Sequence, residues 1–305
     1  MKTLKLGEML EAPVLAVGCM RLTSLNDYEA QAFLARAMDQ GLNFFDHADI
    51  YGAGECEKIF SKAMAALHIQ RDRLILQSKC GIVPGKMYDF SREHILSSVD
   101  GILQRLNTDY LDVLLLHRPD ALMEPEEVAE AFDYLYSEGK VRHFGVSNMK
   151  PYQIALLQKY TKHKIIANQL QFSPVHASMI GAGLEMNMGT EGAVERDGDV
   201  LGYCRLENIT LQAWSPYQYG FFEGVYLKNE RFAGLNKVIS ELSEKYGCED
   251  TAVVSAWICR HPAKMQMVTG TTNSSRLASI CQGTQVNLTR EEWYRIYLAA
   301  GHILP

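Results

Sequence analysis

Short apolar runs recur along the chain, and each gives way to a longer segment whose apolar residues return at helical spacing. The runs predict strands over 14–17, 43–45, 74–77, 113–116, 141–146, 165–168, 210–213 and 267–268. Helical period is clearest over 27–40, 91–106, 126–137 and 151–160. Several helix ends are legible: Asn26 or Asp27 caps the first and Gly41 stops it, while Glu124-Pro125 opens another that Gly139 closes. Strict β–α alternation means parallel strands joined by helical crossovers, and about eight such units close into a (β/α)8 TIM barrel. An open doubly wound sheet would carry a G-x-G-x-x-G phosphate loop after an early strand, and the chain has none. Residues 1–305 therefore read as one α/β barrel domain.

Two segments break the alternation. Residues 3–17, with Gly7 near the first turn, predict a hairpin that plugs the barrel floor. Residues 178–199 (SMIGAGLEMNMGTEGAVERDGD) are glycine-rich and aperiodic, and read as a long loop on the rim where a barrel keeps its active site. Met179, Met186 and Met188 within it either line an adaptable apolar pocket or lie on a surface loop.

Composition narrows the class. Hydrophobic residues at 47% and charged residues at 22% suit a globular domain with a large core. The net charge of −6 comes without a long single-sign run, which argues against nucleic acid as a partner. Seven cysteines without a C-x-x-C pair fit reduced structural thiols and a cytoplasmic setting, not a disulfide frame or a zinc site. The apolar stretch 12–20 is interrupted by Pro13 and preceded by Glu8 and Glu11, which is too short and too charged for a signal peptide. No segment reaches the roughly 20 apolar residues of a membrane span.

In a barrel the chemistry sits where strands end, so ionisable groups directly behind apolar runs are the candidates. N-F-F-D-H-A-D-I-Y-G supplies Asp46 and Tyr51, L-I-L-Q-S-K-C-G supplies Lys79, and L-D-V-L-L-L-H-R-P-D supplies His117. Singly, each has an ordinary explanation: a capping Asp, a packing Tyr, a solvated Lys, a structural His. Jointly they describe one reaction. Lys79 paired with Asp46 would set a cation beside the Tyr51 hydroxyl and draw its pKa down from about 10 toward the working range. A neutral His117 would hydrogen-bond the same carbonyl oxygen. Such a site supplies a proton and steadies an alkoxide, but hydride must come from a cofactor.

The ordered motifs F-D-H-A-D-I-Y-G, S-K-C-G, L-L-L-H-R-P-D, G-K-V-R-H-F-G-V-S-N, N-Q-L-Q-F-S-P, A-W-S-P and V-T-G-T-T-N-S-S-R-L span essentially the whole chain. In that order and spacing the sequence resembles the aldo-keto reductases, in the branch that holds many uncharacterised bacterial oxidoreductases. The resemblance implies a barrel that binds extended NADPH and passes hydride to a small aldehyde or ketone. It implies a tetrad of Asp46, Tyr51, Lys79 and His117, with Tyr51 and His117 on the substrate. Ser147, Asn148 and Gln169 match positions that hold the nicotinamide carboxamide, Trp214 matches the aromatic under the nicotinamide ring, and Gly18 and Met20 fall beside the cofactor. Ser215, Pro216 and Tyr217 would begin the loop over the pyrophosphate. Gly270, Thr271, Thr272 and Asn273 would line the adenosine phosphate, with Arg276 favouring NADPH over NADH.

Three departures stand out. Y-Q-Y-G-F-F replaces the usual run of small residues after Pro216. Gly270 occupies a position where many members have a Lys, and Ser279 and Ile280 replace a frequent Glu and Asn. Two other readings use the same residues. Asp46, His47, Asp49 and His117 could form a metal-dependent hydrolase site, although strand alternation sends Asp46 and His47 to opposite sides. A cofactor-binding sensor subunit would share the fold, although the complete tetrad argues for turnover.

Overall fold

The alternation along the chain closes into a ring of eight parallel strands in the computed structural model, which describes residues 1–304. The strands are β1 (Leu15–Gly18), β2 (Phe44–Asp46), β3 (Ile75–Cys80), β4 (Leu111–Leu116), β5 (Val141–Ser147), β6 (Ile165–Gln171), β7 (Thr210–Trp214) and β8 (Gln266–Thr269). They pair in chain order, and β8 returns to β1 through Met267 with Leu15, Val268 with Ala16 and Thr269 with Val17. Every predicted strand overlaps an observed one. The largest shift is in β3, which runs on to Cys80, so Lys79 projects from the strand itself.

Helix ends follow local chemistry. Asn26 and Glu29 form a reciprocal capping box at the start of Asp27–Asp39, each hydrogen bond being 2.9 Å, and Gly41 beyond its end takes φ 77°. Pro125 and Pro151 open Pro125–Ser137 and Pro151–Tyr160, where a missing N–H costs nothing. Further helices follow β2 (Glu55–Ala66), β7 (Ala233–Tyr246, Asp250–Cys259) and β8 (Ser274–Gly283, Arg290–Ala299).

Strand alternation creates two interiors. On β4, Leu114 and Leu116 face the helices, whereas Val113 and Leu115 face inward with Leu6, Ala16, Phe44, Ile166 and Val268. Leu6 belongs to the predicted floor hairpin, in which Thr3–Leu6 pairs antiparallel with Leu10–Pro13. Its turn docks tightly. A Cβ on Gly7 (φ 55°) would lie 2.5 Å from Ile166 Cβ, and the Gly7 N–H donates to Thr210 Oγ1 at 2.9 Å.

The 178–199 segment is more ordered than expected. It contains a helix, Ser178–Leu184, and a short 3-10 turn, Glu191–Ala193. Its methionines divide between the two expected roles: Met179 is buried, whereas Met186 and Met188 are exposed. No helix among the described residues is long and apolar enough to cross a membrane.

Candidate active site

Alternation at the end of β2 turns Asp46 into the barrel and sends His47 outward, where its ring meets Phe60 edge-on at 4.6 Å between centroids. Their side chains do not converge, so the hydrolase constellation is not assembled. A tight turn with positive φ at Gly52, Ala53 and Gly54 follows Tyr51 and leaves its ring at the barrel mouth, edge-on to His117 at 6.0 Å.

Lys79 is fully buried, and its Nζ donates to Asp46 Oδ2 at 2.7 Å, to the His47 carbonyl at 2.8 Å and to Tyr51 Oη at 3.2 Å. Three donated hydrogen bonds require three N–H groups, so this amine is an ammonium. Since Tyr51 Oη accepts from Lys79, its own proton is left to point into the cleft.

The electrostatics correct one expectation. Burial pushes the Tyr51 phenol above its ordinary value, and Lys79 pulls it back only in part because Asp46 opposes the ammonium. Lys79 does not bring Tyr51 toward neutrality in the free protein; it limits the rise. For Lys79, burial alone would depress the pKa, but Asp46 and Tyr51 outweigh it and the value rises. Burial, with Lys79 and Arg118, holds His117 well below the usual imidazole range, so the ring is neutral as expected.

The other oxygen of Asp46 is tied to a belt of buried glutamines, of which the motif reading named only Gln169. Asp46 Oδ1 accepts from Gln77 Nε2 at 2.6 Å and from Gln169 Nε2 at 3.1 Å. Both amides also donate to Gln212 Oε1, at 3.0 and 3.1 Å, and Gln212 Nε2 donates to Gln266 Oε1 at 2.7 Å. Gln266 Nε2 ends the path on the Pro13 carbonyl of the floor hairpin at 2.8 Å. A continuous chain of amides thus joins the closed end of the barrel to the carboxylate at its mouth. Buried amides are tolerated when paired in this way.

A cleft of about 1110 Å³ runs from Tyr51 and His117 to Arg276 and Ser279. Gly18, Met20, Asp46, Ser147, Asn148, Gln169, Trp214, Ser215, Pro216, Tyr217, Gly270, Thr271 and Thr272 all line it, and of the predicted site residues Lys79, behind the wall, and Asn273 do not. Asn273 instead caps Ser274–Gly283, accepting from the Arg276 N–H at 2.8 Å. Ser147, Asn148 and Trp214 are linked side by side: Asn148 Nδ2 donates to Ser147 Oγ at 2.7 Å and Trp214 Nε1 donates to Asn148 Oδ1 at 3.3 Å. The Y-Q-Y-G-F-F departure forms a small hairpin, Gln218–Tyr219 with Gly224–Val225, that brings Phe222 onto the Trp214 ring at 5.8 Å. Tyr217 anchors its base, with its hydroxyl engaged by the Thr251 carbonyl at 3.2 Å and Ser255 Oγ at 3.0 Å.

Arg21 was also missed. Its Nη1 donates to the Gly270 carbonyl at 3.1 Å, and a Cβ at Gly270 would stand 2.6 Å from that nitrogen. The guanidinium fills the space a side chain at 270 would take. A cleft this long, with paired amides at one end and two arginines at the other, fits an extended dinucleotide.

A closed parallel barrel with an ammonium–carboxylate–phenol cluster at its carboxyl end suits a carbonyl-reducing oxidoreductase. The sequence profile of the aldo/keto reductase family matches residues 14–299, and the chain belongs to that family of NAD(P)H-dependent reductases. Its relatives include the uncharacterised oxidoreductase YcsN of Bacillus subtilis, 34% identical over the full length of both chains. The oxidoreductase YdhF of Escherichia coli is 33% identical over 95% of this chain and 94% of its own. A 6-dehydroglucose reductase of Agrobacterium fabrum is 31% identical over 98% of each. Among solved structures, the thermostable aldo-keto reductase Tm1743, bound to the inhibitor epalrestat, shares the fold with a TM-score of 0.77. That likeness covers 98% of this chain and all of the other at 24% identity.

Proposed function

We propose that this enzyme uses NADPH to reduce the carbonyl group of a small aldehyde or ketone, with Tyr51 as the general acid. The observation that carries the reading is the fully buried Lys79 ammonium, shared among Asp46, the His47 carbonyl and Tyr51 Oη. When bound, the cofactor supplies the hydride.

The chain's own residues handle the oxygen. Tyr51 and His117 grip it from two sides, and Tyr51 releases its proton as negative charge builds there. Lys79 stabilises the phenolate left behind, and Asp46 keeps Lys79 charged. The raised pKa of Tyr51 suits this role, because the acid stays loaded throughout the neutral range.

Ser147, Asn148 and Gln169 are assigned to the nicotinamide carboxamide and Trp214 to its ring. Gly18, Met20, Ser215, Pro216 and Tyr217 flank the pyrophosphate, and Gly270, Thr271 and Thr272 the adenosine phosphate. Arg276 and Arg21 favour NADPH over NADH, with Arg21 taking the place of the lysine that Gly270 lacks.

The test is NADPH consumption against a panel of small aldehydes, α-diketones, quinones, aromatic ketones and a sugar aldehyde, the last suggested by the Agrobacterium relative. Tyr51→Phe is expected to lose about 10²–10⁴-fold in kcat. Full activity in that variant would sink the mechanism, and a KM for NADPH unmoved by Arg276→Ala would sink the cofactor assignment.

A further inference from the structure

Beside the main cleft lies a second chamber of about 300 Å³. The two share Arg118, Asn148, Trp214 and Phe221, so a molecule held at His117 can extend from one into the other. The outer wall of this chamber includes Met179 and Asp197, which gives the 178–199 excursion a place beside the site.

Arg118 follows His117 directly in the chain and is half-buried. Among the described residues its guanidinium has neither a hydrogen bond nor an ion pair, although it lines both spaces. Nearby carboxylates are otherwise engaged. Asp120 accepts from the Phe90 and Leu122 N–H groups, both at 2.9 Å, and Asp197 accepts from the Val200 N–H at 3.1 Å. The Phe221 ring lies 5.6 Å from the guanidinium carbon and shields one side of it from water. The second cation on this wall, Lys150, likewise has no carboxylate within ion-pair distance among the described residues.

We infer that Arg118 is a specificity-determining residue, and that the preferred substrates carry an oxyanion group, carboxylate or phosphate, which seats against it a few bonds from the reacting carbonyl. This rests on the reductase reading above. The planar fork of an unpaired guanidinium matches either oxyanion bidentately, and partial burial weakens the screening that would otherwise dilute the attraction. The neutral sides of the chamber, Met179, Leu170 and Trp214, accommodate the carbon chain between the two ends.

Matched pairs test it. Succinic semialdehyde is compared with butanal, and glyceraldehyde 3-phosphate with glyceraldehyde, in the wild type, Arg118→Gln and Arg118→Lys. At least one anionic substrate is expected to exceed its neutral partner by about tenfold or more in kcat/KM, mainly through KM. Arg118→Gln should remove most of that ratio, and Arg118→Lys should keep part of it. The two pairs separate carboxylate from phosphate. A wild-type ratio near one in both pairs, or a ratio that survives in Arg118→Gln, overturns the inference while leaving the reductase reading intact.

Failure of every aldehyde in the wild type would instead count against the reductase reading. Calorimetry with succinate and with inorganic phosphate, run with excess NADP⁺ to fill the cofactor cleft, then decides on Arg118. Binding that is lost in Arg118→Gln supports the site, and equal or absent binding overturns it.

Discussion

Between the strands and the helices the core is made mostly of side chains such as Leu114, Phe132, Leu135 and Ile154, all fully buried, with the Glu57 carboxylate held among them by Arg105 at 2.6 Å and Ser78 Oγ at 3.0 Å. The inside of the barrel is as dry, yet above its small apolar floor it holds Asp46, Gln77, Lys79, Gln169, Gln212 and Gln266, none more than 3% exposed. The outer layer gains from every apolar contact. The inner one contains an ion pair whose desolvation cancels much of its attraction, and a belt of amides that stays affordable only while each partner is present. Water exclusion therefore serves stability in one region and chemistry in the other.

Lys79→Met is the sharpest way to break this contrast. It should lower kcat by at least about 10²–10⁴-fold, as expected for loss of a proton-transfer group's support, and cost about 3–5 kcal/mol in urea unfolding because Asp46 is left buried without its cation. Activity within tenfold of wild type would place Lys79 with the structural residues.

The opposite experiment is Phe132→Ala, which removes a ring stacked on Phe144 at 4.0 Å. A loss of about 3–5 kcal/mol in urea unfolding is expected, with kcat per folded molecule retained. A comparable fall in kcat would show that the two interiors are coupled.

Gln212→Leu tests the inner region away from the reacting atoms. It strips a partner from Gln77, Gln169 and Gln266 together, at a cost of about 1–3 kcal/mol in unfolding free energy. It should also reduce kcat by roughly tenfold as Asp46 loses its fixed position. An unchanged kcat would make the belt purely structural.

The mildest expectation concerns pH. In the proposed mechanism reduction needs the Tyr51 proton, and burial raises that group's pKa in the free protein despite Lys79. The kcat/KM for reduction should stay flat through neutrality and fall only as pH climbs beyond the ordinary phenol value of about 10. A decline that begins near neutral pH would mean that Lys79 overrides burial.

The sequence exposed the barrel because two periods alternate along it, and it exposed the cluster around Tyr51 because Asp46, Lys79 and His117 each interrupt or end an apolar run. Gln77, Gln212 and Gln266 were hidden for a related reason. One glutamine in a strand looks like the polar half of an ordinary alternation, and only ring closure decides that this half points inward. Arg21 and Arg118 gain meaning from neighbours far away in sequence: an empty position at Gly270 for one, and carboxylates already engaged for the other. The charge beside Tyr51 was readable, but the burial that outweighs it was not. In Ser178–Leu184, Gly181 and Gly183 mask a helix that its surroundings nevertheless stabilise.

The docking of Gly7 against Ile166 and Thr210 has a consequence for timing. The hairpin that closes the barrel leaves the ribosome well before the strands it docks on, since its Thr210 partner lies 203 positions further along the chain. Until those strands emerge, the inner cluster that Leu6 enters lacks Ile166, Ala167 and Val268. The hairpin is thus made long before it can find its place, and this contact of large sequence separation belongs to the late part of folding.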